Sequence, residues 1–426
     1  MLGVEKGTVV EGIEAEEDPV TGEVTVIARV RVNKRARARC GICGRKSPRY
    51  DNGEGRRRWR ALDLGLLRAE LEADAPRVSC RDHGIMVAQV PWARHGARHA
   101  RAFEDTIAWL ACVASKTTVS ELMRTGWRAV GHIITRVAAE AGAATNRLAG
   151  LRRIGIDEIS YRRGQKYLVI VVDHDTGLLV WAGPGRDKAT VGEFFGLLGP
   201  ERSAALTHVS ADGASYIASV VSARAPQAVQ ATDPFHVVSW ATEALDEVRR
   251  DVWRQARSAP GGQKTHRRGV RRPVAESAGD ARALHRCRWV LWKNPENLTG
   301  KQQAKRAWLE KAHPYLYRAY LLKEGLRLIF TFKGDPAAGH AALDKWLAWA
   351  ARCRIPQFVE LSRKIRRHRP GIRASLDTGL SNGLTESVNT KIRLLTRIAY
   401  GFHHPGALIA LAMLNLGGLR PSLPGR

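Results

Sequence analysis

The first third of the chain changes from an alternating to a helical pattern of hydrophobic positions. Apolar and polar residues alternate through EVTVIARVRV (23–32), and Thr21-Gly22 precedes this run, so we predict a β-hairpin in residues 1–32. Strand-like alternation returns in RAELEADAPRVSC (68–80). Residues 100–141 instead carry apolar positions at helical spacing, interrupted by two short breaks, which predicts three helices.

From Leu151 onward the pattern predicts three consecutive strands and then alternating helices and strands. The expected strands are RRIGIDEIS (152–160), QKYLVIVVDH (165–174), LLVWAG (178–183), LTHVSAD (206–212) and QAVQATD (227–233). Turn residues separate the first three, and helical text (189–199 and 213–224) flanks the fourth. This order of elements is that of an RNase H-like fold.

After Phe235 the chain reads as helical and charged to about residue 375, which predicts an all-helical insertion. We therefore expect an α/β protein whose RNase H-like catalytic core is interrupted by this insertion and preceded by a zinc-binding module and a helix-turn-helix. The expected units are a β/zinc module (1–98), a helix-turn-helix (99–148), the first part of the core (149–238), the insertion (239–376), returning core helices (377–418) and a disordered tail (419–426).

The charge balance adds an expected partner. Lys and Arg number 69 against 41 Asp and Glu, for a net charge of +28, which favours a polyanion such as nucleic acid. A GC-rich genome would explain Arg in place of Lys but not this excess. The chain shows no signal peptide and no apolar run of the ~20 residues that would span a bilayer, so we expect a cytoplasmic protein without membrane contact. Six cysteines in 426 residues fit a reducing compartment.

Two pairs of soft ligands predict a zinc site in the N-terminal module. Cys40-x-x-Cys43 and Cys80-x-x-His83 each place two ligands on one knuckle, and four such ligands can surround Zn²⁺ tetrahedrally. The site would be structural, because no coordination position is left open. The 36-residue gap leaves the alternative of four unrelated residues. Arginines cluster around the knuckles, and the run Arg56, Arg57 and Arg58 is a candidate phosphate-binding surface.

Residues 116–140 are a candidate helix-turn-helix. Thr118 and Glu121 have the spacing of a capping box, and Gly126 breaks the helix before Trp127. Arg124, Trp127 and Arg128 would then lie near the leading end of a recognition helix. Any helical hairpin has a similar sequence, so that alternative stays open.

Three acidic residues are candidates for a catalytic metal site. Asp157 and Asp212 lie at the ends of strands that are neighbours in an RNase H-like sheet, and Glu386 begins a returning helix. Three carboxylates can hold two Mg²⁺ or Mn²⁺ ions around a scissile phosphate. Acidic residues at strand ends are also common as caps and surface charges, which is the alternative.

Several segments resemble the ISL3 family of bacterial insertion-sequence transposases. They are IGIDEIS (154–160), VSADG (209–213), DPFHV (233–237), SNGLTESVN (381–389) and AYGF (399–402), and they occur in the family's order together with the cysteine knuckles and the helix-turn-helix. One departure is that His83 stands where the family usually has the last cysteine of a second Cys-x-x-Cys.

The resemblance implies an Asp-Asp-Glu transposase that binds terminal inverted repeats and target DNA and performs cleavage and strand transfer. Asp157, Asp212 and Glu386 match the family's acidic triad, and Asp233 and His236 match an Asp-x-x-His pair. His236 could contact the scissile phosphate or only cap its helix, and Asp212 and Asp233 could exchange roles. Since two DNA ends must be brought together, we expect at least a homodimer, associated with the bacterial nucleoid.

Further residues are candidates for DNA contact. The helix of Glu386 carries Asn389 and Lys391, and basic residues of the insertion are Arg267, Arg268, Arg271 and Arg272. Two other functions stay open on the sequence alone. One is a zinc-dependent DNA-binding regulator derived from a transposase, and the other is an RNase H-like nuclease that recognises the shape of nucleic acid.

Overall fold

The computed structural model of the chain describes residues 5–211, 214–258, 278–332 and 334–424. The candidate residues Asp212, Arg267, Arg268, Arg271 and Arg272 lie outside this described part.

Two small sheets build the N-terminal module. The larger one contains β1 (Thr8–Glu17), β2 (Val24–Val32), β4 (Arg56–Arg60) and β5 (Arg68–Asp74) in the order β1-β2-β5-β4, and the smaller one contains β3 (Arg49–Asp51), β6 (Arg77–Cys80) and β7 (Gly84–Val87) in the order β3-β6-β7. β1 and β2 pair antiparallel, which confirms the predicted hairpin. Cys80 ends β6 and Gly84 begins β7, so the second knuckle is the turn between these strands.

The three predicted helices follow, as α1 (Arg101–Ala111), α2 (Lys116–Leu122) and α3 (Trp127–Ala144). Gly126 is the N-cap of α3, as expected. The predicted capping box on Thr118 is wrong. Ser115 caps α2 by accepting a hydrogen bond from the Thr118 backbone N–H, because the helix begins one residue after it.

A five-stranded mixed sheet forms the centre of the molecule. It contains β8 (Arg153–Arg162), β9 (Lys166–Asp173), β10 (Leu179–Pro184), β11 (His208–Ala211) and β12 (Val229–Thr232), in the order β10-β9-β8-β11-β12. The first three strands form an antiparallel meander, and β11 and β12 run parallel to β8. The predicted strands and their succession are therefore confirmed.

Helices cover both faces of this sheet because side chains alternate along its strands. Val169 and Val171 of β9 pack against the face that carries α4 (Lys188–Leu198) and α6 (Ser215–Arg224). Leu168 and Ile170 enter the core on the opposite face, which carries α15 (Gly383–Ile398) and α16 (Pro405–Leu416). A short helix, α5 (Pro200–Ala204), precedes β11.

Between β12 and α15 the chain forms an all-helical unit with its own hydrophobic core. Its helices are α7 (Pro234–Ser258), α8 (Ala278–His285), α9 (Arg288–Trp292), α10 (Gly300–Ala312), α11 (Pro314–Ile329), α12 (Pro336–Arg352), α13 (Pro356–Arg367) and α14 (Arg369–Thr378). We call these residues the helical unit. α7 begins directly after β12 and runs without a break across residue 238, so the sheet and the helical unit share a rigid element.

The expectation of a disordered tail is wrong for its first residues. Leu419 is buried in the core formed by α1, α3 and α16, and the Arg420 guanidinium lies 4.0 Å from the centre of the Trp109 ring. A hydrophobic anchor and a cation–π contact thus hold this segment. No helix in the described part of the chain is both long and apolar enough to cross a membrane.

Candidate functional site

Three aspartates follow one row of residues across the parallel strands. Ala211 pairs with Ile156 of β8 on one side and with Thr232 of β12 on the other. The next residues along the three strands are Asp157, Asp212 and Asp233. The expectation that Asp157 lies at the end of its strand is wrong, because β8 continues to Arg162 alongside β9. Asp157 and Asp233 nevertheless flank the carboxyl end of β11, after which the chain continues into Asp212. The side chain of Asp212 itself lies outside the described residues.

Asp157 is buried and oriented by two hydrogen bonds. Its Oδ1 accepts from the Glu158 backbone N–H at 2.7 Å, and its Oδ2 accepts from the side-chain amide of Asn389 at 2.8 Å. Asn389 belongs to α15, so this bond joins the helix of Glu386 to β8. The amide oxygen of Asn389 is buried without a hydrogen-bond partner among the described residues. This amide oxygen can therefore act as a metal ligand beside the Asp157 carboxylate.

The start of α15 is tied to two further strands through Asn382, which is fully buried. The Asn382 backbone N–H donates to Asp233 Oδ1 at 3.0 Å, and its side-chain oxygen accepts from the Ser210 hydroxyl at 2.7 Å. Ser210 in turn lies 2.8 Å from Nε2 of His174. Burial lowers the pKa of His174, helped by nearby Arg153, so its imidazole is held neutral in this chain of hydrogen bonds.

Gly155 lets α15 approach β8 closely. A Cβ at this position would lie 2.5 Å from the Thr385 hydroxyl, 3.0 Å from His174 Nε2 and 3.3 Å from the Ser210 hydroxyl. Any larger residue would therefore separate the helix from the strand. Thr385 is fully buried, and its hydroxyl has no hydrogen-bond partner within the part of the chain that the structure describes.

Glu386 lies in the first turn of α15 and is half-buried. It is four residues after Asn382 and three before Asn389, and residues at these spacings share one face of a helix. Asn389 contacts Asp157 of β8 and Asn382 contacts Ser210 and Asp233, so the helix face that carries Glu386 is turned toward these residues. Its carboxylate forms no hydrogen bond or ion pair with any other described residue.

Asp233 and His236 form a local pair at the start of α7. Asp233 Oδ2 accepts from the His236 backbone N–H at 3.4 Å and lies 3.0 Å from His236 Nδ1. Asp233 is only 1% exposed. Burial alone would raise the pKa of Asp233, but the hydrogen bonds from His236 and Asn382 outweigh it and hold the pKa below its usual value. Asp233 thus caps α7 and anchors α15 with its two oxygens.

Asp173 and Asp175, two further acidic residues at the end of β9, occupy a turn. Asp173 accepts hydrogen bonds from the Asp175 backbone N–H and the Thr176 hydroxyl, and Asp175 pairs with Arg153. Both are therefore engaged in closing the hairpin between β9 and β10.

The structure brings the four predicted zinc ligands together. Cys40, Cys43, Cys80 and His83 have ligand atoms that all lie within 4.8 Å of one another, and no other group of His, Cys, Asp or Glu among the described residues does so. The Cys43 and Cys80 sulfurs are 3.7 Å apart, and His83 Nδ1 lies 3.6 Å from the sulfur of Cys80.

The local chemistry of this cluster suits zinc. The imidazole of His83 lowers the pKa of Cys80 to about 6, which favours the thiolate that zinc requires. Gly41 must be small, because a Cβ there would lie 2.6 Å from the Val87 carbonyl oxygen. Three thiols and one imidazole form a closed structural site. The remaining cysteines, Cys112, Cys287 and Cys353, are buried and form no disulfide among the described residues.

The candidate DNA-contacting arginines differ in how far the protein already neutralises them. Arg56 and Arg58 both pair with Glu72, and Arg58 also pairs with Glu16. Arg57 points to the other face of β4, is exposed, and forms no ion pair with a described acid. Of the three predicted arginines, Arg57 therefore has the most freely available charge.

A similar distinction applies to the helix-turn-helix. Arg124 donates to Asp63 at 2.9 Å and to the Leu66 carbonyl oxygen at 3.2 Å, so it holds this unit against the N-terminal module. Trp127 is half-exposed, and Lys116 Nζ lies 3.3 Å above its ring. Arg128 is exposed at the leading end of α3.

Comparison with known proteins defines the class of the chain. Residues 154–412 match a family model described as transposase, residues 36–83 match the zinc-finger of transposase IS204/IS1001/IS1096/IS1165, and residues 88–138 match the helix-turn-helix domain of transposase family ISL3. The chain is thus a transposase with a zinc finger and a DNA-binding helix-turn-helix. It belongs to the ISL3 family, as the resemblance implied.

Two relatives illustrate the extent of the similarity. The transposase for insertion sequence element IS1557 of Mycobacterium tuberculosis is 58% identical over 431 residues, which cover 100% of this chain and 96% of the relative. The transposase for insertion sequence element IS1001 of Bordetella parapertussis is 25% identical over 94% of this chain and 93% of the relative. These findings do not favour the alternative of a non-catalytic regulator.

Sequence reasoning missed part of the site. It pointed to Asn389 and to the segment 381–389 that contains Asn382, but not to Ser210, which donates to Asn382, or to His174, which lies beside Ser210. The spacing of Asn382, Thr385 and Asn389 is a detectable signal, because it places three polar side chains on one helix face. Ser210 and His174 carried no such signal, since only the tertiary fold brings them to the helix.

Proposed function

We propose that this chain binds the terminal inverted repeats of its own insertion sequence and catalyses metal-dependent DNA cleavage and strand transfer. Asp157, Asp212 and Glu386 are the proposed acidic triad. The observation that carries the proposal is the joint between α15 and the edge of the sheet. There, Asn382 and Asn389 lie on the same helix face as Glu386. Asn382 is hydrogen-bonded to Ser210 and Asp233, and Asn389 is hydrogen-bonded to Asp157.

We further propose that the central sheet and its flanking helices are an RNase H-like core, and that the helical unit is an insertion in it. The strand order β10-β9-β8-β11-β12, with a meander followed by two parallel strands, supports this assignment. So does the return of the chain to the same sheet through α15 after the helical unit.

The residues present fit divalent cations with hard oxygen ligands. Asp157 offers a carboxylate whose orientation is set by Asn389, and Glu386 offers a carboxylate with no partner among the described residues. The unpartnered amide oxygen of Asn389 adds one polar oxygen. Mg²⁺ or Mn²⁺ bound there would activate the attacking oxygen and stabilise the leaving oxygen of the phosphodiester.

We assign Asp212 rather than Asp233 as the second acidic ligand. Both oxygens of Asp233 are already used, by Asn382 and by His236, and its side chain is almost inaccessible. Asp233 is therefore a positioning residue that fixes the starts of two helices. His236, which is about one-third exposed beside it, can present its other ring nitrogen toward bound DNA.

DNA contact outside the catalytic edge is assigned to the basic residues that the protein leaves unpaired. Among the described candidates these are Arg57, Arg128 and Lys391, all of them exposed. Arg56, Arg58 and Arg124 are held by acidic partners and contribute less. We propose that two copies of the chain act together, one at each end of the element.

The test is cleavage of DNA that carries the element's own ends, in Mg²⁺ or Mn²⁺. Glu386→Gln should abolish cleavage and leave DNA binding within about twofold, because the substitution removes a charge and keeps the shape. The matched control is Glu193→Gln, on an exposed position of α4 at the opposite face of the sheet. Full cleavage by Glu386→Gln would remove this residue from the triad. DNA binding without cleavage by the wild-type chain under all metal conditions would favour the regulator.

A further inference from the structure

An exposed cluster of tryptophan and arginine lies in the helical unit, away from the proposed catalytic edge. We call it the Trp–Arg cluster and define it as Trp253, Arg257, Arg288, Trp289 and Trp292. The Arg288 guanidinium lies 4.0 Å from the centre of the Trp292 ring and 5.5 Å from that of Trp289. The two tryptophan rings are 5.8 Å apart and nearly perpendicular.

The exposure of Trp289 follows from how its helix is anchored. Cys287, the N-cap of α9, and Leu291 are buried in the core of the helical unit, and Val290 is buried as well. Trp289 shares none of these positions and therefore points outward, with 61% of its surface exposed. The exposed indole of Trp289 leaves a flat aromatic surface accessible for stacking.

Aromatic and basic side chains continue from α9 onto α7. Arg257 lies 5.6 Å from the centre of the Trp253 ring, and the ring of His285 lies 5.8 Å from the same tryptophan. α7 thus carries a second tryptophan with an arginine beside it, and His285, which lies against that tryptophan, precedes Arg288 by three residues.

The positive charge of this surface is not balanced by the protein. Arg257, Arg286, Arg288 and Lys293 are all exposed and form no ion pair with any acidic residue that the structure describes. Other arginines of the helical unit do pair, such as Arg249 with Asp246 and Arg327 with Glu296. Charge complementarity therefore points to an anionic partner.

We propose that the Trp–Arg cluster binds unpaired nucleotides of the DNA, with a base stacked on Trp289 and the phosphates beside Arg257 and Arg288. An indole face can stack only on a base that has left the duplex, whereas the arginines alone would serve for paired DNA. Arg beside Trp is also a combination that grips single strands through charge and stacking together.

The cluster is remote from the proposed triad. Trp253 follows Asp233 by 20 residues, almost all of them in α7, which corresponds to about 30 Å at the rise of an α-helix. Substitutions in the cluster should therefore leave the carboxylates and their hydrogen bonds intact. For the same reason, the effect of a cluster substitution on DNA binding is independent of whether Glu386 is a catalytic residue.

The experiment compares full-length Trp289→Ala with wild type for binding two fluorescently labelled DNAs, measured by anisotropy. One is a duplex of the element's end, and the other is the same duplex extended beyond the cleavage point by a single strand of about ten nucleotides, long enough to span the ~30 Å to the cluster. We expect Trp289→Ala to weaken binding of the partly unpaired DNA by about tenfold, as for the loss of one stacked base, and to change duplex binding less than twofold. Trp289→Phe should retain much of the preference.

The matched control is Trp349→Ala, another exposed tryptophan of the helical unit, over whose ring no arginine of the described part of the chain lies. It should bind both DNAs like wild type. Equal weakening of both DNAs by Trp289→Ala would overturn the proposal in favour of duplex contact. Unchanged binding of both would also overturn it, and would leave a surface for an acidic protein instead.

Discussion

Gly155→Ala is the substitution that most directly tests the joint between β8 and α15. The added Cβ would lie 2.5 Å from the Thr385 hydroxyl oxygen. Ordinary contacts of this kind need about 3.4 Å, so the helix must move away by roughly 0.9 Å or the strand must distort. His174 Nε2 and the Ser210 hydroxyl would lie 3.0 Å and 3.3 Å from the same Cβ, so they hinder a sideways shift of the added methyl group.

The expected effect on stability is modest and the effect on activity is large. Overpacking of a buried site costs about 1–3 kcal/mol, which a two-domain core of this size can tolerate. A shift of about 1 Å moves Asn389 off Asp157 and moves Glu386 relative to the sheet, and misplacement by that distance costs about 100-fold in rate. We expect cleavage to fall by roughly that factor, while binding of the element's ends to the N-terminal units is unchanged.

A second substitution tests whether contact with the Thr385 hydroxyl causes the expected loss of cleavage. Thr385→Ala removes the obstructing hydroxyl, which has no partner among the described residues, so Gly155→Ala with Thr385→Ala should recover most of the cleavage rate. Gly196→Ala is the control, because that exposed position in α4 has no atom within 4 Å of an added Cβ. Full activity of the single Gly155→Ala variant, or no recovery in the double variant, would contradict the proposed role of this contact.

Three further predictions concern metal, stability and DNA binding. Cys80→Ser should reduce bound zinc, measured by elemental analysis, from about one ion per chain to almost none and lower the melting temperature. Asp233→Asn should lower the free energy of unfolding by about 1–3 kcal/mol at pH 7, because its new amide meets backbone N–H donors. Since the folded pKa of Asp233 is lowered, the stabilisation is complete above pH ~4 and is lost as pH falls through the folded pKa, so the difference from wild type should shrink in acid. Arg57→Gln should weaken DNA binding and reduce the salt slope by about one, more than Arg56→Gln does.

Each of these predictions has a matched comparison. Cys112→Ser alters a buried cysteine far from the knuckles and should keep its zinc. A difference between Asp233→Asn and wild type that is independent of pH would show that the ionised carboxylate is not what stabilises the fold. Equal effects of Arg56→Gln and Arg57→Gln in titrations at several salt concentrations would show that the ion pair of Arg56 with Glu72 does not limit its contact with DNA.

Local pattern was enough to predict most of the elements. The alternation in residues 23–32 and the strand–turn–strand text from Leu151 depend on which side chains must be buried on one face, and that requirement acts over a few residues. The zinc knuckles were also readable, because two ligands at a spacing of two residues need only a local turn. The same holds for Gly126 at the start of α3.

The sequence predicted less well which of two nearby residues caps a helix and whether the C-terminal tail is held in place. Ser115 and Thr118 can both cap a helix, and in the structure α2 begins at Lys116 with Ser115 as its N-cap. The tail was expected to be disordered from its Gly and Pro content, but Leu419 finds an apolar pocket that only the assembled helices create.

Only the tertiary structure decided how the polar groups of the site are paired. Ser210 and Asn382 are 172 residues apart, and Asn389 and Asp157 are 232 apart, yet each pair is joined by one hydrogen bond. It also showed that Arg56 and Arg58 pair with Glu72, whereas Arg57 pairs with no described acid. Asp233 accepts hydrogen bonds from His236 and Asn382. The physical reason is that hydrophobic periodicity determines each element by itself, whereas a buried polar group takes whatever partner the packed elements bring within 3 Å. The residue types and motifs of the sequence indicated a transposase. The packing of α15 on the sheet brings Asn382 and Asn389 to Ser210, Asp233 and Asp157.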